Sequence, residues 1–347
     1  MTRSTRACQR SGKRPMTAPL LDVSDLTITF PSSRPVSSLS FQVSSGETVA
    51  IVGESGSGKS LTALALMRLL PRSASISSGR IRFDGQDLAA LDERAMRRMR
   101  GAKLAMIFQE PMTSLNPVLT IGAQIIDVLR LHAQMSRRAA RARAIELLDL
   151  VRVADPHRRI DDYPHRLSGG MRQRVMVAIA VACGPKLLIA DEPTTALDVT
   201  IQAQVLDLID GLRRGLGMGL VLITHDLGVV GQWADRVVVM YAGRKVEEAA
   251  PDAILAKPRH PYTAGLLAAS PRAADGLTYR DGALQEIPGS ITSAGGETGC
   301  PFRPRCAHAL PSCALAPPPP VEVGPDHLAA CPVLNHGEAR NVIAAGR

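Results

Sequence analysis

Gly53-Glu54-Ser55-Gly56-Ser57-Gly58-Lys59-Ser60 fits the pattern G-x-x-x-x-G-K-S/T, and its flanks turn the pattern into a fold. The run before it, Thr48–Val52, is apolar without alternation, as a strand buried on both faces must be. The run after it, Leu61–Leu70, has helical composition and stops before Pro71. Strand, glycine-rich turn and helix in that order make a phosphate cradle. The glycines let backbone N–H groups turn inward around phosphate oxygens, and the helix start adds the positive end of its dipole. Lys59 would neutralise the β and γ phosphates of a nucleotide and Ser60 would hold Mg²⁺. A glycine-rich turn without nucleotide is the plain alternative, and the strand and helix on either side count against it.

Outward from this loop the chain alternates strands and helices. Leu187–Ala190 and Leu220–Thr224 are two more buried-strand candidates, separated by an amphipathic helix over Ile201–Arg213. That alternation predicts an α/β fold with a mostly parallel sheet. Between Leu20 and Gln86 short strands dominate, with alternating apolar positions at Val23, Leu26, Ile28 and Phe30 and again at Phe41 and Val43. From Leu91 to Cys183 the texture is helical, including Arg137–Val153 with Ile145, Leu148 and Val151 at helical spacing. Beyond Ala250 prolines become frequent and periodicity fades, and Pro317–Pro320 would form a stiff spacer of roughly 12 Å. No internal repeat is visible.

The chain has 347 residues, 45% of them hydrophobic, enough for one substantial core and a small appended module. No stretch approaches the roughly 18 to 20 apolar residues that span a bilayer, and runs such as Val237–Met240 are strand-length. Arg3, Arg6, Arg10, Lys13 and Arg14 supply more than half of the formal net charge of +9 and are followed by no apolar signal-peptide core. They read as a disordered basic tail, or as a start assigned ahead of Met16. A charge gathered there is weak support for nucleic acid, whose footprint would lie on a folded face, and no nucleic-acid partner is expected. Of six cysteines, Cys8 and Cys183 stand alone, while Cys300, Cys306, Cys313 and Cys331 crowd the C-terminal region.

Two further motifs carry chemistry. Leu187-Leu188-Ile189-Ala190-Asp191-Glu192 is an apolar strand ending in two acids. Asp191 would order Mg²⁺ through its water shell, and Glu192 would polarise the attacking water as general base. Leu167-Ser168-Gly169-Gly170-Met171-Arg172-Gln173 opens a helix with a serine and two glycines, a second anion-binding end. One ATP does not need two such ends from one chain. The arrangement makes sense if Ser168, Gly169 and Gly170 grip the γ-phosphate of ATP held by a partner subunit.

At this point the sequence resembles the ABC ATPases, whose signature is LSGGQ, with Met171 in place of the glutamine and Gln173 following. The resemblance covers nearly all of Leu20–Glu247. It implies a P-loop NTPase fold of the ABC ATPase type, with a parallel-sheet core, an antiparallel β subdomain and a helical subdomain over about 91–183. It implies that Gln109, after the apolar Leu104–Phe108, senses Mg²⁺ and water and links the site to a membrane subunit. It further implies that Ala196-Leu197-Asp198 crosses a dimer interface, that His225 contacts the γ-phosphate, and that Phe30 stacks on adenine. Phe30 as a core residue is the alternative.

The match narrows to the dipeptide and oligopeptide importer ATPases. Gln109, Pro111, Ser114-Leu115-Asn116-Pro117 and Gln124 carry it, as do Gly170–Met176, Asp191–Thr200 and the tetrapeptide His260-Pro261-Tyr262-Thr263. The expected organisation is a tail over 1–18, an ABC ATPase domain over 19–255 and an importer extension over 256–347. The extension holds the cysteines, spaced C-x5-C-x6-C-x17-C. Related ATPases carry a four-cysteine motif there, some with an iron-sulfur cluster, so a [4Fe-4S] cluster, zinc and no metal all stay open. The implied function is an ATPase peripheral to the cytoplasmic face of the inner membrane. It would pair with an identical or homologous ATP-binding subunit and move two transmembrane permeases fed by an extracytoplasmic solute-binding protein. A soluble ABC ATPase of DNA repair or translation is the alternative. It would usually show tandem cassettes or a coiled-coil insertion, and neither is present. The solute, among peptides, nickel complexes and similar compounds, is not written in this chain.

Overall fold

The structure is a computed structural model and describes residues 18–109, 114–194, 198–269, 286–291 and 298–333. Its centre is an eight-stranded sheet. Five strands run parallel: β3 (Thr48–Val52), β6 (Leu104–Ile107), β7 (Leu187–Asp191), β8 (Gly219–Thr224) and β9 (Arg236–Tyr241). Antiparallel β10 (Arg244–Ala249), β11 (Val321–Gly324) and β12 (His327–Ala329) extend it on one side. The order across the sheet is β11-β12-β10-β9-β3-β8-β7-β6. A separate antiparallel sheet, ordered β2-β1-β4-β5, is made of β1 (Leu21–Phe30), β2 (Ser33–Val43), β4 (Ser75–Phe83) and β5 (Gln86–Asp87).

The unbroken apolar runs are explained by what covers them. In β3, Val49 and Ile51 enter a core shared with Phe41, Phe83 and Leu66, while Ala50 and Val52 enter another with Tyr241 and Tyr262. In β7, Leu187 and Ile189 join the first of these, and Leu188 and Ala190 join a third core made with helices. A strand with apolar cover on both faces has no use for polar alternation.

The helices are α1 (Lys59–Leu66), α2 (Glu93–Met99), α3 (Ile121–His132), α4 (Arg137–Leu150), α5 (Pro156–Arg159), α6 (Gly169–Val181), α7 (Val199–Leu216), α8 (Leu227–Trp233), α9 (Pro251–Ala256) and α10 (Pro261–Ala269). Thr120, Ser136, Ser168 and Asp198 cap α3, α4, α6 and α7 with side-chain oxygens, each satisfying a backbone N–H at a helix start. On α4, Leu148 is fully buried, as is Val151 just beyond the helix, and Ile145 packs against the same core.

Three differences from the sequence reading have physical causes. The helix expected over Leu61–Leu70 begins earlier, at Lys59, and ends at Leu66, because the P-loop runs directly into it. The helical stretch over 91–183 contains β6, a strand of the main sheet beside β7. The extension does not stand apart after residue 255. Its β12 pairs with β10, placing Glu247 opposite Ala329, and the Glu247 carboxylate, 1% exposed, accepts the backbone N–H groups of Arg259 and His260 at 2.7 and 2.9 Å. The same carboxylate meets His327 Nε2 at 2.7 Å. Among the described residues no helix is long and apolar enough to cross a membrane.

Candidate nucleotide site

Register brings the chemistry together. Val52 lies opposite Thr224, Asp191 opposite Ile223 and Ile107 opposite Ala190, so β3, β6, β7 and β8 end at one level. The loops leaving those ends carry Gly53–Ser60, Gln109, Glu192 and His225. Outside the carboxyl ends of parallel strands is where such sheets bind ligands.

In the P-loop, Gly58 has φ +97° and a Cβ there would sit 2.5 Å from the Pro35 carbonyl oxygen, so both conformation and space require glycine. Lys59 is 4% exposed and its ammonium donates to the carbonyls of Gly53 (2.7 Å) and Glu54 (2.9 Å) and to Ser57 Oγ (3.4 Å). Burial lowers its pKa, while the carboxylates of Glu192, Asp191 and Glu54 pull the other way. Ser60 Oγ donates to Asp191 Oδ1 at 3.1 Å. Burial raises the Asp191 pKa, with Glu192 adding to the rise and Ser60 and Lys59 opposing it. A hydroxyl and a carboxylate side by side are hard oxygen donors of the kind Mg²⁺ takes.

Glu192 is the meeting point. Its Oε2 accepts from Gln109 Nε2 at 3.2 Å and lies 3.4 Å from His225 Nδ1. Its backbone N–H is tied to the Ile223 carbonyl at 3.0 Å, and its φ of 44° is a left-handed conformation uncommon outside glycine. Hydrogen bonding to Glu192 raises the His225 pKa against the effect of burial. Two residues from the ends of two strands, Gln109 and His225, therefore converge on one oxygen of the carboxylate at the end of a third, placed as a proton acceptor would be.

Phe30 ends β1 opposite Ser33, half-buried, and the returning strand carries Pro35 and Val36 against Gly58. Ser168 stands at the start of α6. The Ser168 hydroxyl accepts from Met171 N at 3.4 Å, leaving its own hydrogen to donate, and a Cβ at Gly170 would lie 3.0 Å from Ile201. Asp198 accepts from the Ile201 N–H at 2.9 Å. Ser168, Gly169, Gly170 and Asp198 thus gather at the starts of α6 and α7. Pro111, Ala196 and Leu197 lie outside the described residues.

The contact that sequence reasoning missed comes from the extension. The Glu54 N–H donates to Tyr262 Oη at 2.8 Å, and the Glu54 carboxylate takes both arms of Arg305 at 2.7 and 3.1 Å. The His260–Thr263 tetrapeptide was legible as a motif, but nothing in its spacing says that its tyrosine reaches residue 54.

The metal-centre expectation for the cysteines is not supported among the described residues. Cys300, Cys313 and Cys331 are buried in or beside the core of Tyr241, Tyr262 and Phe302, and the Cys300 N–H donates to the Cys313 carbonyl at 2.8 Å. Burial raises the thiol pKa values of Cys300 and Cys306, and that of Cys331 to about 11, with the neighbouring cysteines adding to the rise. Yet among the described residues no set of three or more His, Cys, Asp or Glu side chains stands at metal-holding spacing, these four included. The iron-sulfur expectation therefore lacks geometric support.

Comparison with known proteins agrees with the fold. Residues 36–195 match the ABC transporter family, and residues 246–313 match the oligopeptide/dipeptide transporter C-terminal region. A probable peptide ABC transporter ATP-binding protein of Sinorhizobium fredii is 50% identical over 90% of this chain and 94% of its own length. A Brucella abortus protein named for peptide import as an ATP-binding protein is 51% identical over 91% of this chain and 95% of its own. Among solved structures, a dimeric ATP-binding cassette in a post-hydrolysis state with ADP and Pi aligns with a TM-score of 0.60 at 27% identity, covering 67% of this chain and 98% of that one. A Clostridium perfringens subunit of the cbiONQ ABC transporter complex aligns with the same score at 26% identity, over 69% and 91%. The chain belongs to the ATP-binding subunits of ABC transporters, in the branch that carries the oligopeptide/dipeptide transporter C-terminal region.

Proposed function

We propose that this chain hydrolyses ATP to drive uptake of short peptides or a similar small solute. The observation that carries the chemistry is the convergence of Gln109 and His225 on Glu192, one residue beyond the Asp191–Ser60 pair. Backbone N–H groups of Gly53–Ser60 and the Lys59 ammonium hold the β and γ phosphates, and Phe30 stacks on the adenine. Ser60 and Asp191, with Gln109, would hold Mg²⁺, which when bound would supply positive charge against the phosphates. Glu192 takes a proton from water as that water bonds to the γ-phosphorus. The bond to the bridging oxygen breaks and ADP leaves, while His225 steadies the γ-phosphate oxygens.

Ser168, Gly169, Gly170 and Asp198 lie at the starts of two other helices, which suits action on the nucleotide of a second cassette. The dimeric state of the ADP-bound neighbour supports that reading. Peptide as cargo is supported by the names of the relatives and by the matched C-terminal region. Two permeases would dock near Gln109, making the chain peripheral to the cytoplasmic face of the inner membrane. A [4Fe-4S] centre on Cys300, Cys306, Cys313 and Cys331 is not supported by any metal-holding group among the described residues.

The test is Glu192→Gln. Turnover should fall roughly a hundredfold to ten-thousandfold with ATP binding retained. Near-normal hydrolysis by this variant would remove Glu192 from its role.

A further inference from the structure

The sequence placed Glu54 in the P-loop as one of its variable positions, yet it is tied down at every polar group. Its N–H donates to Tyr262 Oη at 2.8 Å, its carbonyl accepts from Lys59 Nζ at 2.9 Å, and its carboxylate receives Arg305 in a two-armed fork. Two of the three ties come from the extension. The third leads to the side chain that must meet phosphate.

Arg305 is itself held so that its fork has one direction. Its side chain is 4% exposed. Nε donates to the Pro288 carbonyl at 2.7 Å and Nη2 to the Ile287 carbonyl at 3.1 Å, while the guanidinium lies 5.7 Å from the Tyr241 ring centroid. Tyr241, Tyr262 and Phe302 pack with ring centroids 4.6 to 5.5 Å apart and fix the platform beneath it. Ile291 of the same segment lies 3.5 Å from where a Cβ at Gly56 would stand. A fork this specific is more than is needed to anchor a surface module, which the β10–β12 pairing already does.

We infer that Arg305 is a positioning residue of the ATP site: through the Glu54 carboxylate it fixes the P-loop backbone whose carbonyl aims Lys59. This rests on the assignment of Gly53–Ser60 to phosphate binding. Arg305 ends the short 3-10 turn Arg303–Arg305 between Cys300 and Cys306, so the geometry of the cysteine-bearing turn is transmitted to the P-loop.

The test uses the full chain and measures affinity for ATP with Mg²⁺ and, in steady state, KM and kcat. Arg305→Met and Glu54→Gln should each weaken ATP binding and raise KM about tenfold, the scale of one charge-assisted contact. At saturating ATP, kcat should stay within about threefold, because the residues around Glu192 are untouched. The double variant should be no weaker than the poorer single, since both remove the same fork. Arg305→Lys, which keeps charge but not the planar fork, should fall between.

Melting curves identify any variant that does not fold. Glu54→Gln, whose side chain is partly solvent-exposed, decides the case should Arg305→Met be one. Unchanged ATP affinity in a folded Glu54→Gln protein, or effects that simply add in the double variant, would overturn the inference. Lys59→Ala separates this from the function itself. Loss of ATP binding there with normal binding in Arg305→Met removes only the role of Arg305, whereas normal binding in Lys59→Ala removes the phosphate site as well.

Discussion

At the scale of single residues, Glu192 combines strain with convergence. A non-glycine residue at φ 44° costs on the order of 1 kcal/mol, and the chain holds it there through the hydrogen bond from its N–H to Ile223. The result aims one oxygen at both Gln109 and His225. A titration consequence follows from the sign of the shift. Because the carboxylate raises the His225 pKa, the pairing is at full strength below the ordinary imidazole value of about 6.5 and fades as pH rises through the raised value. Histidine NMR should find the His225 midpoint above that ordinary value in the wild-type chain, and Glu192→Gln should lower it. A midpoint that does not move would mean that the two side chains do not meet in solution.

At the scale of elements, legibility followed burial. The strand Thr48–Val52 was read with its observed bounds, because a strand covered on both faces leaves an uninterrupted apolar run. A helix opening at Ser168 was legible, and Ser168 caps α6, whereas Asp198 was read only for a dimer interface and its cap on α7 was missed. The extension was not readable in this way. Its β12 is three residues long, β11 is mostly half-buried with no fully buried residue, and the ion pair of Arg305 with Glu54 joins residues 251 positions apart. No local period encodes such contacts. His260 shows what the element then does. It is buried at the start of α10, its Nδ1 accepts the Tyr262 N–H at 3.1 Å, and burial lowers its pKa to about 4 against the opposing pull of Glu247. A histidine kept neutral stabilises the fold above the unfolded value and loses that contribution as pH falls from about 6.5 through 4. The loss by pH 4.5 is on the order of 2 kcal/mol. Denaturant melts between pH 7 and 4.5 should therefore be flatter for His260→Asn, which keeps an acceptor but cannot charge. Equal slopes for both proteins would show that His260 carries no part of the acid sensitivity.

At the scale of the whole molecule, the eight-stranded sheet does not stop where the ATPase motifs stop. Cutting the chain after residue 255 would remove β11 and β12, bare the edge of β10, uncover Tyr241 and leave the buried Glu247 carboxylate without its three donors. Unpaired strand edges recruit other edges, and a buried charge stripped of partners is costly. The truncated protein should lose several kcal/mol of stability and associate with concentration in sedimentation experiments. A stable monomer with an unchanged melting temperature would contradict this account. The continuity also limits how this protein can be recombined. Splicing the extension of a relative onto this cassette at residue 255 would bring in a new Arg305, Tyr262 and His327 but leave Glu54, Tyr241 and Glu247 behind. Chimeras should therefore work only when the grafted extension can still meet these three cassette positions, so that the unit of exchange is a set of contacts rather than a length of chain.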